Sequence, residues 1–79
     1  MDVVAYEPHA WFLLAQGDDL YLDVNVHLPA VDTSIMVRLE AGERERYSSE
    51  GRAFVDALAT AIAQSPDSYR ERALPGWVP

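Results

Sequence analysis

Leu20-Tyr21-Leu22-Asp23-Val24-Asn25-Val26-His27-Leu28 alternates aliphatic residues with polar or aromatic ones over nine positions without a break. A period of two is the mark of a β-strand with one buried and one wet face. It assigns Leu20, Leu22, Val24, Val26 and Leu28 to a core. Tyr21, Asp23, Asn25 and His27 fall on the opposite face, the one place where strand geometry itself stacks chemically interesting side chains.

Upstream, Ala10-Trp11-Phe12-Leu13-Leu14-Ala15 is short, rich in large apolar residues and followed at once by Gly17-Asp18-Asp19. Glycine and aspartate tolerate the left-handed backbone of tight turns, so the two strands form an antiparallel hairpin. Its register stays open by one residue. A three-residue loop pairs Gln16 with Leu20 and brings His9 opposite His27. A two-residue loop pairs Gln16 with Asp19 and puts the histidines on opposite faces, because a one-residue slip turns every side chain over.

Downstream, Pro29 to Thr33 reads as a loop. Ser34 to Glu40 alternates again, with Ile35, Val37 and Leu39 on one face and Met36, Arg38 and Glu40 on the other. Ala41-Gly42-Glu43 is turn-like, and residues 44–47 fit either a fourth short strand or the approach to a helix. From Ser48 or Ser49 the period changes: Phe54, Leu58 and Ile62 recur every four residues, with Val55 and Ala61 widening the stripe. Serine suits an N-cap, and the helix should run to about Gln64. Ser65-Pro66-Asp67 then starts a short second helix to about Leu74. The expected fold is a single α+β domain over residues 1–79. It has an N-terminal segment (1–8) that ends at Pro8 and includes a short extended stretch, a β-meander (9–47) of three or four strands in the order 1-2-3, a main helix (48–64) on one sheet face, a short helix (65–74) and a tail (75–79).

Composition narrows the chemistry. The chain has 79 residues, no cysteine and a net charge of −7, so disulfides, thiolate metal sites and cysteine nucleophiles are excluded. Every one of its six basic residues is an arginine, which removes Schiff-base chemistry and the P-loop lysine. A negative field repels phosphate backbones, so no nucleic-acid partner is expected. No apolar run approaches the ~20 residues of a membrane span and no basic leader opens the chain, so the expected location is cytoplasmic, with no membrane partner.

No catalytic constellation emerges. The serines at 34, 48, 49, 65 and 68 are explained by a strand start, caps and turns, and none sits in a nucleophile elbow. Asp18 and Asp19 are turn formers without the burial that splits a catalytic pair's pKa values. An enzyme is therefore disfavoured, and no cofactor is expected. If a metal binds at all, His9, His27 and Asp23 are the ligand inventory, in the three-residue register only. The alternating charges from Glu40 to Arg46 read as a solvated segment that discourages edge-to-edge aggregation.

The apolar surplus is the more telling feature. Trp11 and Leu13 point one way from the first strand, and Phe12 and Leu14 the other, yet one helix covers only one face. Whichever pair is left emerges beside Tyr21, Asp23, Asn25 and His27, with Met36, and needs cover from the second helix, the Trp77 tail or another subunit. The candidate binding face is Trp11, Tyr21, Asp23, Asn25, His27, Met36 and Arg38. The expected function is a non-enzymatic protein-interaction or regulatory module, binding a protein partner or forming a homodimer through that face. The alternative is a small-ligand or metal-binding domain using the polar row.

Overall fold

The alternating stretch forms the third strand of an antiparallel sheet. The computed structural model describes residues 2–27 and 32–74 and, of residues 27, 32 and 33, the backbone alone. Five strands are hydrogen-bonded in chain order: β1 (Asp2–Glu7), β2 (Trp11–Gln16), β3 (Asp19–His27), β4 (Asp32–Arg38) and β5 (Ala73–Leu74). Two helices, α1 (Ala41–Glu50) and α2 (Arg52–Gln64), and a 3₁₀ helix (Pro66–Arg72) lie between β4 and β5. The α+β class and the neighbouring hairpins agree with the sequence reading. The strand number is higher, because β1 and β5 join the expected three.

Leu22, Val24 and Val26 are buried and Leu20 is half-buried, as the alternation requires. Leu28, the last expected core residue of the strand, and residues 29–31 of the expected loop lie outside the described residues, and β4 starts at Asp32 rather than at Ser34. The hairpin takes the two-residue register, with Gln16 opposite Asp19 and Trp11 opposite Val24. Gly17 has φ 62 while Asp18 keeps a negative φ, the pattern of a type II′ turn. Register decides the faces. Trp11 and Leu13 share the side of Leu22 and Val24, and Phe12 and Leu14 share that of Tyr21 and Asp23.

α2 covers the first of these faces. Phe54, Val55, Leu58, Ala59 and Ile62 are buried against Trp11, Leu13, Leu22, Val24, Val37 and Leu39. Ala59 rather than Ala61 widens the stripe, since it lies one position after Leu58 on the sheet side. Burial of each large side chain contributes roughly 1.5–3 kcal/mol.

Helical structure begins at Ala41 rather than at Ser48 or Ser49, so residues 44–47 lie inside a helix, neither a fourth strand nor the approach to one, and the expected main helix is two helices broken at Gly51. The Glu40 backbone N–H donates to Glu43 Oε1 at 2.7 Å, an acidic version of half a capping box. Gly51, with φ 68 and ψ −145, ends α1 by donating its N–H to the Tyr47 carbonyl at 2.8 Å and starts α2. The second expected helix is a 3₁₀ helix that ends at Arg72, and Ala73 and Leu74 add instead to the β4 edge. Tyr69 packs on the core from it. No helix among the described residues is long and apolar enough to cross a membrane.

Candidate functional site

The sheet face away from α2 carries most of the residues singled out by sequence. Tyr21 pairs with Leu14 and Arg38, Asp23 with Phe12 and Met36, and Asn25 with Ser34. This face is drier than the alternation suggested. Leu14 is fully buried, Asp23 and Met36 nearly so, and Tyr21 and Asn25 are half-buried. Asp23 has a large apolar residue opposite it on each neighbouring strand and is 6% exposed. Arg38 stays exposed and is drawn off to Asp19, whose Oδ1 accepts from its Nη2 at 2.8 Å. Trp11 is the one member placed elsewhere: it sits under α2 and is 2% exposed. The side chain of His27 and the Trp77 tail lie outside the described residues.

The metal inventory is not assembled by the register. Continued past Trp11, the pairing sets residue 9 opposite residue 26, not 27. His9 instead occupies a turn in which the Ala10 N–H donates to the Glu7 carbonyl at 3.0 Å. Pro8 sits at the position proline favours in such a turn, and His9 takes the following one with φ 63. No group of three or more histidine, aspartate or glutamate side chains is placed to hold a metal among the described residues.

Two further features bear on function, the first an extended segment expected within residues 1–8 and the second absent from the sequence reading. The first is β1, an edge strand of the sheet. Val3 pairs with Leu14 and Tyr6 with Phe12, although three positions separate Val3 from Tyr6. A bulge between Val3 and Ala5 supplies the extra residue and turns both side chains to the same face. Tyr6 stacks on Phe12 with centroids 5.6 Å apart. Val3, Val4 and Tyr6 are 45%, 47% and 52% exposed, and Leu74 on the other edge is 40% exposed. The Val3-Val4-Ala5-Tyr6 run ahead of Pro8 was the available signal, masked because the bulge spoils its alternation.

The second feature is a cleft of about 570 Å³ between the β1–β2 turn and α2. Trp11, Val24 and Ala59 contribute buried apolar surface, and Glu7, His9 and Asp56 contribute polar groups. Trp11 Nε1 donates to Asp56 Oδ1 at 2.9 Å, giving the buried indole the partner it needs. Arg52 lies over the Trp11 ring at 4.9 Å, pairs with Glu7 and approaches Asp56 Oδ2 at 3.9 Å. The i,i+4 spacing of Arg52 and Asp56 on one helix face was legible; their meeting with Trp11 and Glu7 depends on register.

Towards the opposite edge of the sheet from β1, Arg72 ties the 3₁₀ helix to α1. Its Nη2 donates to Glu43 Oε1 at 2.6 Å and to the Arg38 carbonyl at 2.8 Å, and its Nη1 to Glu43 Oε2 at 3.3 Å. Burial alone would raise the Glu43 pKa; the Arg72 hydrogen bond, the Glu40 N–H and the Arg72 charge outweigh it and hold the carboxyl below its ordinary value. This cluster ties β4, α1 and the 3₁₀ helix together.

No protein-family model, curated protein or solved structure gives a significant match to this chain.

Proposed function

We propose that this chain is a non-enzymatic interaction module that captures an extended segment of a partner protein along β1. The observation that carries this reading is an edge strand whose apolar side chains stand about half exposed. Native sheets usually blunt such edges with charge, proline or cover, because the unpaired backbone groups template another strand. Between its end residues β1 carries Val3, Val4, Ala5 and Tyr6 and no charge. Strand addition draws its affinity from main-chain hydrogen bonds and its selectivity from alternate side chains. Val3 and Tyr6 extend the apolar surface of Phe12 and Leu14 out to this edge, so the incoming strand meets a continuous apolar rim.

Charge favours a basic partner. The chain carries −7, and acids bound the apolar run at Asp2 and Glu7. Opposite charge steers encounter and selects partners. A second copy is the poorer occupant: antiparallel pairing of all six β1 residues with themselves sets Asp2 against Glu7, and like charges directly opposite are destabilising. The polar row on β3 is a poorer docking floor, since Asp23 is buried between Phe12 and Met36.

A synthetic extended peptide alternating lysine and valine is the probe. On its addition, amide resonances of residues 2–7 should shift and gain protection from exchange. A Val3→Gln/Tyr6→Gln variant should lose that response while keeping its fold. Shifts that avoid β1, or light scattering that shows a dimer of the free chain at neutral pH, would count against the reading.

A further inference from the structure

We infer that the cleft between the β1–β2 turn and α2 is a separate binding site for a small flat organic cation, an amidinium or guanidinium on an apolar body. Its volume, about 570 Å³, lies within the range of small-ligand pockets. Its make-up is also that of a ligand site: apolar surface with a few convergent polar groups. Three alanines, Ala10, Ala59 and Ala63, line it where larger residues would fill the space.

The sign of the ligand follows from the charges. Glu7 and Asp56 bring two carboxylates to the cleft, and Arg52 alone offsets them. The protein's overall −7 adds a field of the same sign, which concentrates cations at such a cleft. Asp56 accepts one bond from Trp11 and only a 3.9 Å contact from Arg52, while a carboxylate has about four acceptor sites. Acceptor capacity therefore remains for a planar donor.

Arg52 itself displays the accepted chemistry. Its guanidinium lies 4.9 Å from the Trp11 centroid while pairing with carboxylates. Aromatic faces attract cations, and more strongly where water is thinned out. Arg52 is held by exposed pairs, which are worth little, with its side chain 48% exposed. An incoming amidinium can join it at Asp56 or take its place against Glu7. The apolar body then lies along Ala59 and Ala63. This site differs from the β1 edge: its ligand is a small molecule, and of β1 only the end residue Glu7 lines it, the other walls coming from the turn, β2, β3 and α2.

Benzamidine is the probe, followed through the Trp11 indole N–H resonance in a Trp77→Phe background at low salt. The expected result is a saturable shift with a dissociation constant on the order of 1 mM. Asp56→Asn keeps an acceptor for Trp11 but removes the charge, and should weaken binding several-fold. Ala63→Leu, a change at an exposed helix position, should abolish it. Neutral benzamide should give no saturable shift. An unmoved Trp11 resonance at about tenfold that concentration, or equal responses to benzamide and benzamidine, overturns the assignment. Shifts in β1 amides without Trp11 would also overturn it, by moving the binding to the edge strand.

Discussion

Gly51 joins two helices at a backbone geometry, φ 68 and ψ −145, that side chains with a Cβ rarely adopt. A Cβ added there would meet nothing within 4 Å, so the requirement is conformational rather than steric. Gly51→Ala should therefore lower stability by about 1–3 kcal/mol, read as a shift in urea midpoint with an unchanged slope. A loss near zero would mean that α1 and α2 can merge into one helix. Glu43 makes a second residue-scale prediction, in acid. Its folded pKa lies below the ordinary value of 4.5, so the unfolded chain takes up the proton first as pH falls. The stability it contributes is present above 4.5 and is lost as pH drops through the lower folded value. Arg72→Gln removes the main lowering partner and should flatten the stability profile below about pH 4.5, the ordinary value, in denaturation series at successive pH values.

α1 and α2 are both helices, but they are built from different materials. α2 buries five side chains, and α1 buries none. α1 is fixed instead by the Glu40–Glu43 contact, by Arg46 over the Phe54 ring at 4.8 Å, and by the half-buried Tyr47. Such ties are worth tenths of a kcal/mol to about 1 kcal/mol each. Hydrogen exchange should accordingly show α1 amides opening well before those of α2, and Arg46→Ala should widen that gap. Comparable protection in the two helices would contradict the ranking. The same contrast explains what sequence could convey. α2 was legible because Phe54, Leu58 and Ile62 repeat with the helical period. α1 was not, because Ala41-Gly42-Glu43 has turn composition and Arg44 to Glu50 has no apolar stripe. β3 is legible from its alternation, whereas residues 1–8 show only an extended segment, because the bulge between Val3 and Ala5 hides which face each side chain takes. The side taken by Trp11 hung on a single residue of loop length at Gly17-Asp18. Hence Tyr21, Asp23, Asn25, Met36 and Arg38 share the sheet face away from α2, and Trp11 lies on the other. The cleft beside α2 depends on the same register, which sets Trp11 opposite Val24.

At the scale of the whole molecule, an exposed apolar edge and a strong negative charge oppose each other. Val3, Val4 and Tyr6 invite pairing with another strand, and −7 at neutral pH keeps like molecules apart. The balance should tip where the charge vanishes, near the isoelectric point of about 4.5. There, light scattering should rise with protein concentration while near-ultraviolet circular dichroism still reports the native fold. At pH 7 the scattering should stay flat. Val3→Gln/Tyr6→Gln leaves the isoelectric point unchanged and removes two apolar side chains from the edge, so it should suppress the acid association while near-ultraviolet circular dichroism still reports the native fold. Raising the salt at pH 7 should act in the opposite direction, promoting association by screening the repulsion beyond a Debye length of about 8–10 Å. If the double variant associates as readily as the parent at pH 4.5, the adhesive surface is elsewhere, and Leu74 on the β5 edge is the next position to change.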